Sequence, residues 1–159
     1  MRPIVLSLVV VAACLTSQTA ASQTRGGTAA SGTAPSACSL ITPDLAAKYI
    51  DPRILKYLKP DDSPVGTKGT SCEYGRIGLR VNPLGSGSKP SAPAKDWQPI
   101  SGVGTVAFYH PLNNTYAELI AWTGPHHIGI QLGVPTGGTM ESTKAEAIAL
   151  ANAIIAKLK

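Results

Sequence analysis

Three runs of alternating apolar and polar residues, Thr105–His110, Thr115–Thr123 and His127–Val134, follow one another with only Pro111–Asn114 and Gly124–His126 between them. Links that short join antiparallel neighbours, because a parallel pair needs a crossover of a dozen or more residues. The chain is therefore committed to an antiparallel meander. A fourth run precedes it: beyond Cys72, the residues Ile77, Leu79 and Val81 fall on one side while Arg76, Gly78, Arg80 and Asn82 fall on the other. That is the pattern of a half-buried strand. Residues 61 to 70 read as turn chemistry, and residues 83 to 101, rich in Pro, Gly and Ser, read as a long loop.

Helix signals flank this sheet. Thr42-Pro43-Asp44 offers a capping hydroxyl, a proline pre-set for the first helical position and a carboxylate for the positive end of the dipole, so a short helix is expected to about Ile50. Asp51-Pro52 repeats the signal, with Ile54, Leu55 and Leu58 as its apolar side, ending at Lys59-Pro60. From about Ser142 the tail turns helical, with Thr143 and Glu146 read as a capping box and Ile148, Ala151, Ile155 and Leu158 at helical spacing. The expected fold class is α+β: an antiparallel sheet of four or five strands in a meander, short N-terminal helices, and a C-terminal helix packed on one face.

The first residues have another purpose. Met1-Arg2 precedes an apolar run from Ile4 to Ala13, interrupted only by Ser7. This has the length of a signal-peptide core and falls short of the roughly 20 apolar residues that a membrane-spanning helix needs. Two processing sites compete. Val11-Ala12-Ala13-Cys14 resembles a lipobox that ends the signal at 13 and leaves Cys14 lipidated, whereas Thr19-Ala20-Ala21 fits ordinary cleavage after 21. Residues 22 to 35 are almost wholly Ser, Thr, Ala, Gly and Gln, with one Arg25 and Pro35, the composition of a flexible linker. The expected organisation is thus a signal over 1–21, a linker over 22–35 and one globular domain over 36–159, outside the cytoplasm, in the periplasm or cell envelope or secreted.

Cysteine parity fits that location. Of Cys14, Cys38 and Cys72, the first is lipidated or lost with the signal, and an oxidising compartment lets the other two pair. A Cys/His metal site with His110, His126 or His127 is the alternative, but no CxxC or HxxxH spacing accompanies it. No metal and no cofactor is expected.

Residues 36–159 hold 12 of the 14 basic residues and all 9 acidic ones, a net +3. The cations are scattered, with no cluster and no interleaved aromatic ladder, so nucleic acid is not an expected partner. Contact with a membrane is expected only through a lipid on Cys14.

Carried across the strands, the alternation gives an apolar face of Ile77, Leu79, Val81, Val106, Phe108, Leu119, Ile128, Ile130, Leu132 and Val134. The opposite face collects Arg76, Arg80, Tyr116, Glu118, Ile120, Trp122, His127 and Gln131, with Gly129 and Gly133 between them. One-sided sheets ordinarily turn such residues to water. The functional expectation is a shallow trough walled by Tyr116 and Trp122, with Arg80, His127 and Gln131 close by and partly exposed, as a ligand site. His126 and His127 are neighbours on a strand, so their side chains diverge. Asn113-Asn114-Thr115 matches a glycosylation sequon and is read as a turn.

Cys38-Ser39-Leu40-Ile41-Thr42-Pro43, with Ser71-Cys72-Glu73-Tyr74 some thirty residues on, resembles the opening of small bacterial secreted and lipoprotein domains of unknown function. In those a Cys-Ser-Leu-[Leu/Ile]-Thr helix start is tied to a Cys-x-Tyr strand. Gly102-Val103-Gly104, Tyr116-Ala117-Glu118-Leu119 and Val134-Pro135-Thr136-Gly137 are similar to the later part of such domains. The resemblance implies no activity and brings no catalytic residue.

No nucleophile–base pair, phosphate loop or metal spacing is present in the sequence. The expected role is that of a non-catalytic envelope or secreted protein binding an envelope protein or a small ligand. Two rivals stand beside it: a secreted hydrolase or metal-handling protein using His110, His126 and His127, and a small inhibitor presenting the 83–101 loop.

Overall fold

The structure, a computed structural model, describes residues 33–84 and 95–159. The expected signal, Cys14, most of the linker and residues 85–94 of the long loop lie outside the described residues. Within them the elements run α1 (Ala37–Leu40), α2 (Pro43–Ala46), α3 (Pro52–Leu55), β1 (Asp61–Val65), β2 (Gly69–Tyr74), β3 (Ile77–Pro83), β4 (Gln98–Ile100), β5 (Val106–Pro111), β6 (Tyr116–Thr123), β7 (His126–Gly133) and α4 (Met140–Lys157).

The strands form one sheet in the order β1-β2-β3-β7-β6-β5-β4, antiparallel throughout. The α+β class and the antiparallel sheet with its C-terminal helix are therefore as the sequence reads. The sheet has seven strands rather than four or five. Residues 61 to 70, expected as turns, supply β1 and the first residues of β2, and the supposed loop 83–101 supplies β4. Both β1 and β4 are edge strands. An edge strand has one paired flank and little burial, so it needs no apolar alternation, and Pro64 fits because an edge can spare a donor.

β6 and β7 turn on Gly124-Pro125, where Gly124 has a φ of 50°, the positive first position of a two-residue hairpin turn. The β5–β6 link is held by Asn113, whose side-chain oxygen accepts hydrogen bonds from the N–H of Thr115, the N–H of Tyr116 and the Thr115 hydroxyl. The sequon residue is thus a turn-former, as its position suggests.

One face of the sheet is covered. Ile77, Leu79, Val81, Leu119, Ile128, Ile130 and Leu132 are almost wholly buried there, each contributing about 1.5–3 kcal/mol on transfer from water. α4 lies over β6 and β7, while α1 lies over β2 and β3. The small side chains Ala107, Ala117 and Ala121 leave room for Ala147, Leu150, Ala151 and Ile154 of α4. On β5 the expected faces are exchanged. Ala107 and Tyr109 point to the core, and Val106 and Phe108 lie on the other face. The reason is the helix: a small residue is needed under α4, and Tyr109 runs along it to donate its hydroxyl to Met140 O at 3.3 Å. Burial, with the nearby Glu141 carboxylate, holds the Tyr109 phenol above its ordinary pKa.

α4 begins earlier than the sequence suggests. Thr139 is the cap, exchanging hydrogen bonds with Ser142, and Thr143 lies inside the helix, fully buried. Glu146 instead reaches Arg76 Nη2 at 2.5 Å. Arg76 also donates from Nε to Gly133 O at 2.6 Å and from Nη1 to Tyr49 O at 2.8 Å. One guanidinium therefore ties the β2–β3 turn, β7, α4 and the N-terminal segment together. It is a structural clamp at the margin of the open face, where its Cβ and the Tyr116 ring both stand over Gly133.

Cys38 and Cys72 form a disulfide across 34 residues, joining α1 to β2 with Cα atoms 4.9 Å apart. The fold also takes hold of the chain before position 36: Ala34 is buried, and its N–H donates to Lys68 O. The last residues of the expected linker thus belong to the core. At the other terminus Lys157 Nζ donates to Leu40 O, closing α4 onto α1.

Candidate functional site

The second sheet face has no helix over it among the described residues, and the register arranges it in transverse rows. Val106, Trp122, His127 and Asn82 make one row. Phe108, Ile120, Gly129, Arg80 and Ser71 make the next, followed by His110, Glu118, Gln131, Gly78 and Glu73. The β4–β5–β6 side is apolar and aromatic, whereas the β7–β3–β2 side is polar with glycines in its floor.

All five expected site residues lie on this face, but they do not form one trough. Tyr116 and Trp122 sit near opposite ends of β6, six residues or roughly 20 Å apart at strand rise. Trp122 is only 8% exposed, not a rim residue as expected. It stacks on His127 at 4.6 Å and meets Phe108 edge-on at 6.3 Å, an arrangement made by the unexpected inversion of β5. Tyr116 is 45% exposed and covers Gly133, where an added Cβ would meet its ring at 3.3 Å. Gly133 therefore leaves no gap.

The gap is at Gly129, whereas at Gly78 an added Cβ would meet Gln131 Cβ at 3.4 Å. A Cβ at Gly129 would meet only Arg80 Cβ, at 4.0 Å. Here Ser71, Glu73, Gly78, Arg80, Glu118, Gly129 and Gln131 line a shallow depression of about 230 Å³. The side chains of Glu73, Arg80, Glu118 and Gln131 make no hydrogen bond or ion pair among the described residues. One guanidinium, two carboxylates and one carboxamide thus converge on a floor without side chains, offering donors and acceptors together. Of the expected residues, Arg80 and Gln131 belong to this depression. Trp122 and His127 stand beside it and Tyr116 beyond it.

Ser71, Glu73, Gly78 and Glu118 complete the lining, and sequence reasoning did not nominate them. The alternation of Ser71 and Glu73 with buried Cys72 and Tyr74 was the available signal, since β2 pairs with β3 residue for residue. Trp97, just before β4, stacks on His110 at 5.2 Å. Nothing in a Pro-rich stretch marks that contact.

The histidines do not act together. His126 and His127 face opposite sides of β7, as expected from the pleat, and burial lowers the pKa of each. His126 Nδ1 and His127 Nε2 are buried without a hydrogen-bond partner. Asp96 Oδ2 stands 3.4 Å from His110 Nδ1, within ion-pair reach of a protonated ring but outside hydrogen-bond geometry. Among the described residues, no group of three or more His, Cys, Asp or Glu side chains is placed to hold a metal ion. No helix among them is long and apolar enough to cross a membrane.

No protein-family model, no curated protein and no solved structure matches the chain. What defines it is an α+β sheet with one face closed by helices and a disulfide, and the other bearing a polar, glycine-floored depression beside an aromatic row.

Proposed function

We propose that this protein is an exported, non-catalytic binding protein that receives a small polar ligand over Gly129, between Arg80, Glu118 and Gln131. The observation that carries the reading is the convergence of unpartnered charged and amide side chains on a floor kept open at Gly129. Side chains with no internal partner are free to satisfy a ligand's hydrogen bonds, and the aromatic row beside them supplies an apolar flank. The depression is at the small end of ligand sites, suited to a molecule of the size of a sugar or an amino acid. Ser71, the hydroxyl on the lining, donates to Ser63 O and not to a side-chain base, so recognition rather than turnover is the role assigned.

Export through the N-terminal signal, ending at 13 so that Cys14 is lipidated as the attachment to the membrane, belongs to the same proposal. The Cys38–Cys72 bridge is consistent with an oxidising compartment. A mass spectrum of the mature N-terminus from native membranes tests this part: an acylated Cys14 supports it, and an N-terminus at Met1 contradicts it.

The binding proposal is tested by thermal-shift titration with a panel of sugars, amino acids and small carboxylates, in parallel on the wild type and on Arg80→Ala/Gln131→Ala. A ligand that raises the wild-type midpoint and leaves the double variant unmoved supports the site. Equal shifts in both proteins place the ligand elsewhere and overturn it.

A further inference from the structure

Among the described residues, the two most exposed large apolar side chains lie on one short turn. Ile54 is 54% exposed and Tyr57 is 76% exposed, three residues apart around the end of α3. Both are free of the core, although Leu55 and Leu58 of the same turn are packed against it. Scattered exposed apolar residues need no account, but an adjacent aliphatic–aromatic pair turned outward does.

The charge nearest the pair in sequence is mostly positive. Within residues 48–59 stand Lys48, Arg53, Lys56 and Lys59, against the single carboxylate of Asp51. Arg53 engages Asp51 at 2.6 Å and holds its carboxyl down to about 2, so that pair is neutral as a unit. Three lysines remain, all exposed, with Lys56 Nζ 4.8 Å from the Tyr57 ring centre. Lysine stems can lie along an apolar surface while their ammonium groups reach outward. Tyrosine is at home where one end is apolar and the other wet.

We infer that this turn is a contact surface for an anionic lipid bilayer, with Ile54 and Tyr57 entering the interfacial layer and Lys48, Lys56 and Lys59 meeting headgroup phosphates. An exposed aliphatic–aromatic pair flanked by lysines has the make-up of an interfacial membrane contact. The interfacial region of a membrane takes both. The position also suits attachment. The chain enters the fold at Ala34, which bonds to Lys68 in the β1–β2 turn, and residues 56–60 lead from α3 to the start of β1, so the N-terminal tether and the basic turn flank the same edge strand at its two ends. Asp44 at one end and Asp61 and Asp62 at the other bound the segment and keep the attraction weak and reversible. The inference is independent of the depression on the open face.

The test is co-sedimentation of the full mature chain carrying Cys14→Ser, so that no acyl group contributes. It uses phosphatidylcholine vesicles with and without about 30% phosphatidylglycerol, enough to give a surface potential that draws basic segments. Binding is expected only with phosphatidylglycerol. It should weaken by about fivefold for each lysine neutralised in Lys56→Gln and Lys59→Gln, fall on adding salt, and disappear in Ile54→Ser/Tyr57→Ser. These residues are exposed, so the thermal midpoints of the variants should match the wild type. No binding to the anionic vesicles, or equal binding by the wild type and the Ile54→Ser/Tyr57→Ser variant, overturns the inference.

Discussion

Trp122 and His127 face one another across β6 and β7, with ring centres 4.6 Å apart and planes 29° from parallel. The pair closes one end of the open face and lies beside the depression without lining it. Phe108 packs against the far edge of the indole, and Trp122 O accepts the N–H of Thr105. Trp122→Ala should therefore cost about 3–5 kcal/mol, the range for emptying a large buried aromatic site. A denaturant midpoint measured against the wild type checks it, and a change under about 1 kcal/mol would show the ring to be dispensable.

His127 and its chain neighbour His126 set a pH dependence. Burial lowers the folded-state pKa of His126 and His127 below the ordinary histidine value, so the unfolded chain binds their protons more readily than the folded one. Stability from these two groups is complete above the unfolded histidine pKa and is lost as pH falls through it toward the folded values. The thermal midpoint should drop between about pH 7.5 and 5. His127→Asn should flatten that drop; an unchanged slope would remove His127 from the account.

The Cys38–Cys72 bridge should be worth about 3–4 kcal/mol by chain entropy for a loop of this length. Cys38→Ser/Cys72→Ser, unfolded alongside the oxidised wild type, gives the difference directly. A shift smaller than about 1 kcal/mol would mean that the helices and Ala34 already restrain the unfolded chain or that the bridge strains the fold.

Arg76 holds three acceptors on three different parts of the chain, which a single ammonium cannot match in geometry. Arg76→Lys should lose about 2–4 kcal/mol, the sum expected for charge-assisted bonds at a partly buried site. Glu146→Gln should lose less, since the two backbone acceptors stay bound. Equal losses would indicate that the ion pair alone matters.

The strands that bury one face were legible because burial imposes alternation: Ile77, Leu79 and Val81 on β3, and Ile128, Ile130 and Leu132 on β7, could be read directly. β1 was not, because Asp61, Asp62, Ser63 and Pro64 are exposed on an edge where nothing selects for pattern. β5 misled for the opposite reason. Its open face carries Val106 and Phe108, bulkier and more apolar than Ala107, so hydrophobicity alone points the wrong way. The cap of α4 was displaced because Thr143 resembles a cap while being a buried helix residue whose hydroxyl bonds Thr139 O. For the site, period two placed Arg80 and Gln131 on the right face, but register between strands decides which glycine stays open, and register is invisible in a single strand.

The central claim is that the depression over Gly129 is where this protein binds. The most direct measurement is an amide-resolved NMR titration of the mature protein with the low-molecular-mass fraction of an envelope extract. Shifts confined to Ser71, Gly78, Arg80, Glu118, Gly129 and Gln131, and absent in Arg80→Ala/Gln131→Ala, are the predicted result. Shifts centred on α4 or on the N-terminal helices, or none from any fraction, would contradict it.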